Sequence, residues 1–300
     1  MQPDLSPVIS TPPEPRWKAV ARAFRPTLRY WVQTEVHVYS FSIAANVLLS
    51  FFPFLIVILS VCRPLLGLHG AQNAIGLVMN DFFPGDLRTK DSMASFVYRI
   101  VANVESNVES RGTLQVFSVL LLLFTANGIF EPLEIALNRV WGIPKNRSFF
   151  KNQVVSLGLI FTCGSLALLS TVFTGLNLNP QGTASPLTRF LGLVFFETAA
   201  LPVSVLMLFL IYWRLPNGRV PWRSVLPQAI LVGIALEALK FINVLTWPLL
   251  DKKLRAEYGP FEFSVAIILW SFLGAMVILA GAEWAARRAR RQSEAPAGMA

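Results

Sequence analysis

Four polar side chains recur at regular intervals near residue 130. Asn127, Glu131, Glu134 and Asn138 stand at i, i+4, i+7 and i+11, so in a helix of 3.6 residues per turn they share one stripe. Two carboxylates and two amides on one stripe suit a cation, a polar solute or the hydrogen-bond donors of a neighbouring element. Lipid is excluded as their surroundings, because an ionisable group inside a bilayer costs about 2.5–3.5 kcal/mol. Two readings follow. The stripe lines a polar cavity open to the cytoplasm, with Glu131, Glu134 and Asn138 on its wall, or it is a hydrogen-bonded lock onto a neighbouring helix. Arg139 is expected to reach lipid phosphates or to pair back to Glu134. Pro132 is expected to kink the helix.

A second set of ionisable groups interrupts other apolar runs. Glu237 and Lys240 lie at i and i+3, a spacing that pairs them on one helix face, which Asn243 and Trp247 extend. They are expected to face the bundle interior with Glu197 nearby, either as a self-neutralising structural pair or as the lining of a polar path. Ser42, Asn46, Ser50 and Pro53 form a stripe suited to close packing and interhelical hydrogen bonds, and Gly274 and Gly281 do the same further on.

The elements that carry these residues are apolar helices of membrane length. Of the 300 residues, 54% are hydrophobic and 14% charged, against about 25% charged in soluble domains. A spanning helix needs about 20 apolar residues. Six such runs are present, at about 40–62, 112–130 (continuing as a more polar helix to 141), 151–176, 188–213, 224–250 and 261–285. The predicted fold class is therefore all-α, a polytopic membrane protein with about six transmembrane helices.

Loop charge sets the orientation. Lys and Arg before span one, between spans two and three, between spans four and five, and after span six outnumber those on the alternate side about two to one. The richer face, with Arg25, Arg139, Arg147, Arg214 and Arg287, is assigned to the cytoplasm together with both termini. The alternation also explains the net charge of +9 without nucleic acid as a partner.

Outside the spans, residues 1–15 are expected to be a disordered tail. Residues 16–39 are expected to form an amphipathic interfacial segment, with Trp17, Val20, Phe24, Leu28 and Trp31 on its apolar side and Pro26 breaking it. An ordinary helix packed on the domain is the alternative. The membrane domain spans 40–286, with a periplasmic helical insertion at 63–111 where Phe96, Ile100, Val104 and Val108 recur at helical spacing. Residues 287–300 are expected to be a basic, disordered cytoplasmic tail. No early apolar run precedes a cleavage site, so the first span is expected to stay as an anchor. Cys62 and Cys163 lie inside apolar runs and read as fillers.

A family resemblance rests on particular residues. Phe130-Glu131-Pro132-Leu133 with Ala136-Leu137-Asn138-Arg139-Val140-Trp141-Gly142, then Tyr258-Gly259, Trp270 and Gly281-Ala282-Glu283, together with Phe52-Pro53, resemble the YihY/BrkB family in the same order, over roughly residues 20 to 290. The resemblance implies a bacterial inner-membrane protein with six spans. It implies no settled activity, since members carry the labels ribonuclease BN and virulence factor.

The residues weigh against a ribonuclease. Phosphodiester hydrolysis uses clustered carboxylates or histidines that hold metals, and His37 and His69, the two histidines, have no ligand spacing. A P-loop is absent as well. The expectation is a non-enzymatic transporter or lipid-handling protein with no cofactor and no metal, whose partners are membrane lipids and a small-molecule or lipid substrate. The alternative is a structural or assembly protein of the envelope.

Overall fold

The computed structural model describes residues 25–32, 34–82, 111–144, 147–148, 151–152, 154–159, 161–166 and 201–294. Every regular element among them is helical, as expected where a backbone inside lipid must satisfy its own hydrogen bonds. Helix α1 covers 25–31. It is followed by α2 (Thr34–Phe82) and α3 (Arg111–Trp141), then by α4 (Val154–Leu166) and α5 (Leu201–Arg214). Helix α6 (Trp222–Tyr258) turns through a short 3-10 segment, Gly259–Phe261, into α7 (Glu262–Glu294).

Three stretches are long and apolar enough to cross a membrane: Glu35–Ile58, Val116–Trp141 and Trp222–Arg290. The last is folded into two helices. Gly281 of α7 packs on Val232 of α6, and Gly274 of α7 lies beside Leu236, so the two run antiparallel. Gly259, at φ 52°, makes the turn, a conformation glycine adopts without a Cβ penalty. The shorter apolar helices α4 and α5 overlap the expected third and fourth spans.

Small residues set the helix spacing. A Cβ on Gly128 of α3 would overlap the Asn46 carboxamide of α2, and one on Gly233 of α6 would come within 2.8 Å of Val205 of α5. Such contacts bring backbones close where no hydrophobic force drives helices together. One core cluster joins α2, α3, α5, α6 and α7 through Ile43, Leu137, Tyr212, Val232 and Leu279. A second, toward the Gly259 turn, joins α2, α6 and α7 through Ile58, Trp247 and Ile267. Large apolar side chains also cover the outside: Phe124 is 78% exposed and Leu249 79%. An exterior this apolar suits a hydrocarbon solvent.

Helix α2 runs on to Phe82 past a break at Gly67 (φ 69°, ψ 171°), so the described part of the stretch assigned to the insertion is helical. Pro64 precedes that break and removes a backbone donor. The helix expected around residues 96–108 lies outside the described residues. The tail expected from 287 is helical as far as Glu294, because Arg287 and Arg290 are tied to Thr27, Glu283 and the Val140 carbonyl. The residues before Pro26 that would show a break there lie outside the described residues, and Trp31 turns toward the bundle, its indole N–H donating to the Met276 carbonyl at 3.0 Å.

Candidate functional site

The four-residue stripe of α3 is divided by the fold. Glu134 is 2% exposed and Asn138 1%, whereas Glu131 is exposed. Asn127 is half-buried, and its side-chain oxygen Oδ1 is buried with no hydrogen-bond partner among the described residues. The stripe is about 60° wide, and Glu131 and Glu134 lie on its opposite edges.

Glu134 and Asn138 organise two loops. Asn138 Nδ2 donates to Glu134 Oε1 at 3.3 Å, and the Arg147 backbone N–H donates to the same oxygen at 3.4 Å. Asn138 Oδ1 accepts the Asn217 backbone N–H at 2.7 Å. The Arg147 guanidinium then donates to the carbonyls of Arg214, Leu215 and Pro216 at 3.0, 2.8 and 2.8 Å. Burial pulls the Arg147 guanidinium below its ordinary pKa, the Glu134 carboxylate opposes that, and Arg214 adds to it. The loop after α3 is thereby clasped to the loop after α5. The local sequence prepares the clasp: Gly142 at φ 68° ends α3, with N–H groups of Gly142 and Ile143 returning to Arg139 and Asn138. Ile143 then packs against Gly218, where a Cβ would come within 2.8 Å.

The opposite side of α3 borders a cavity. Its volume is about 210 Å³, and Tyr30, Glu35, Tyr39, Arg139, Glu283 and Arg290 supply its polar lining, with Val36, Ala136 and Val140 between them. The cavity therefore borders none of Glu131, Glu134 and Asn138, the residues the sequence reading placed on a cavity wall. Arg139 does not pair back to Glu134. Five residues apart, the two point about 140° from each other around the helix, and Arg139 instead meets Glu35 of α2 at 2.5 Å. Glu283 accepts from Arg287 and, at 3.4 Å, from the Thr27 hydroxyl. Burial, with the Glu283 carboxylate next, pushes the Tyr30 phenol above its ordinary pKa. Tyr30, Glu35, Tyr39 and Arg290 were missed as site residues in the sequence. Their one signal was position, at the ends of the first and last apolar runs.

Glu237 and Lys240 form their ion pair at 2.9 Å, with side chains 38% and 31% exposed. The pair sits midway along α6 and is not sealed in the interior. Asn243 and Trp247, on the same side, are buried at 2% and 7%. Glu197 lies outside the described residues. Asn46 donates to the Ser42 carbonyl at 2.9 Å and covers Gly128, so its amide serves the α2–α3 contact. Among the described residues, no group of three His, Cys, Asp or Glu stands ready for a metal.

The motif residues occupy both polar sites: Asn138 the clasp, Arg139 and Glu283 the cavity. The sequence model described as virulence factor BrkB matches residues 27–300. The chain belongs to the virulence factor BrkB family. Similar chains include a UPF0761 membrane protein of Acinetobacter baylyi, 24% identical over 77% of this chain and 53% of its own length. Another UPF0761 membrane protein, from Pseudoalteromonas translucida, is 24% identical over 70% of this chain and 73% of its own. A third, from Chlorobium luteolum, is 26% identical over 87% of this chain and 59% of its own. The chain thus spans about half the length of the Acinetobacter relative. No solved structure matches this BrkB-family chain.

Proposed function

We propose that this BrkB-family chain is a non-enzymatic inner-membrane protein with six spans that moves a small polar solute or a lipid across or within the bilayer. Its basic end, where α1, the start of α2 and the end of α7 meet, lies in the cytoplasm in this reading. The observation that carries the proposal is the Glu237–Lys240 pair. A pair of charges midway along an apolar helix, 38% and 31% exposed, needs water, a polar ligand or lipid head groups beside it, because hydrocarbon does not solvate it. A polar route past α6 supplies that environment. Membrane lipids are the expected partners, with no nucleic acid, cofactor or metal required.

Reconstitution tests the reading. Liposomes containing the full chain are assayed for scrambling of a fluorescent phospholipid and for flux of a pH dye, with the Glu237→Gln variant in parallel. The expected result is activity in one assay, reduced in the variant while the protein still reconstitutes. Equal rates for wild type, variant and empty liposomes in both assays would overturn it.

A further inference from the structure

The cavity between α1, α2, α3 and α7 has a chemistry that the proposed route through α6 does not use. It lies at the ends of two apolar stretches, Glu35–Ile58 and Val116–Trp141, which is where hydrocarbon gives way to head groups. Trp31 packs on the core beside it, and Tyr30 and Tyr39 line it. Aromatic residues with polar tips concentrate at this depth of a bilayer. At about 210 Å³ the space is on the order of seven water volumes, at about 30 Å³ each. That is too small for a large solute and enough for a head group.

Its charges come in both signs. Arg139 and Arg290 present guanidinium groups, and Glu35 and Glu283 present carboxylates. A purely anionic ligand would use only half of this set and meet repulsion from the rest. A ligand carrying a phosphate and an ammonium meets a partner of each sign, Arg139 and Glu35. The Arg139–Glu35 bridge at the rim is exposed at 62% and 50%, and an exposed bridge is weak enough to exchange partners. The guanidinium then takes a phosphate in charge-assisted hydrogen bonds, and the carboxylate takes the amine. Glu283, already held by Arg287 and Thr27, keeps its place on the wall.

We infer that this cavity is a binding site for a phosphate ester bearing a primary amine, in the form of a phosphoethanolamine lipid head group held at the cytoplasmic surface. The lipid source follows from the depth of the site, and a soluble phosphoethanolamine ester has the same recognition chemistry.

The test uses the full chain in lipid-free detergent, titrated with short-chain phosphatidylethanolamine, phosphatidylglycerol and phosphatidic acid, with binding followed by native mass spectrometry. The wild type is expected to prefer phosphatidylethanolamine by about tenfold, the scale of one charge-assisted contact. Glu35→Gln should lose that preference and still bind phosphatidic acid. Arg139→Gln should weaken both. These are exposed side chains, and the wild-type comparison stands even if a variant fails to fold. Glycerophosphoethanolamine should compete only weakly, since it lacks the acyl chains. Equal affinity for all three lipids would overturn the site, and competition by the soluble ester at the lipid's own concentration would overturn the lipid source. Either result leaves the reading of Glu237 and Lys240 unchanged.

Discussion

Asn138 Oδ1 accepts the backbone N–H of Asn217 at 2.7 Å, across 79 residues of sequence. This contact joins the end of α3 to the loop after α5. Asn138 is 1% exposed, so no water replaces it if the amide is removed. Asn138→Ala is expected to cost about 1–3 kcal/mol, the penalty of a buried donor left unmade. It should appear as a lower Tm in detergent. An unchanged Tm would show that the loops hold together without the clasp.

Gly128 and Asn46 fix the approach of α2 to α3. Gly128→Ala places a methyl where the Asn46 carboxamide lies and is expected to destabilise by about 1–3 kcal/mol through overpacking. Asn46→Ala in the same chain makes room for it. A thermal double-mutant cycle should therefore show the pair recovering part of the loss. Additive losses would place the two residues apart.

Lys240→Ala leaves Glu237 without the partner seen at 2.9 Å. Removing one member of a desolvated pair costs more than removing both. The single variant is expected to melt below the double variant Glu237→Ala/Lys240→Ala, by a margin of about 1 kcal/mol, small because both side chains are partly exposed. Identical melting of the two would mean that solvent already screens the pair.

The orientation is read with reporter fusions. A fusion after Glu109 should report the periplasm and one after Glu294 the cytoplasm, as the loop charges require. The residues that gather at one end of the fold, Thr27, Glu35, Arg139, Glu283 and Arg290, share that orientation. A cytoplasmic signal after Glu109 would reverse it.

The amide and carboxylate stripe of α3 shows how far a helical pattern goes. Its spacing puts four polar residues on one face, and two of them, Glu134 and Asn138, are buried within the fold. Spacing within one helix says nothing about the neighbour that covers the face. Here the two loops cover Glu134 and Asn138 and leave Glu131 exposed, while the cavity forms on the other side. Arg139 followed Glu35 rather than Glu134 for the same reason: its partner comes from a distant part of the chain.

The sequence by itself determined the class of solvent, the helical class of the fold, the small residues at helix contacts and the pairing of Glu237 with Lys240. All of these depend on composition or on residues within a few positions of one another, where helix geometry dictates who meets whom. The tertiary structure alone decided that α2 continues to Phe82, that α7 carries Arg287 and Arg290 into contact with α1 and α3, and that a two-signed cavity lies between them. Those outcomes depend on which helix faces come together, and the energy of such contacts belongs to pairs of residues far apart in the chain, such as Thr27 with Glu283.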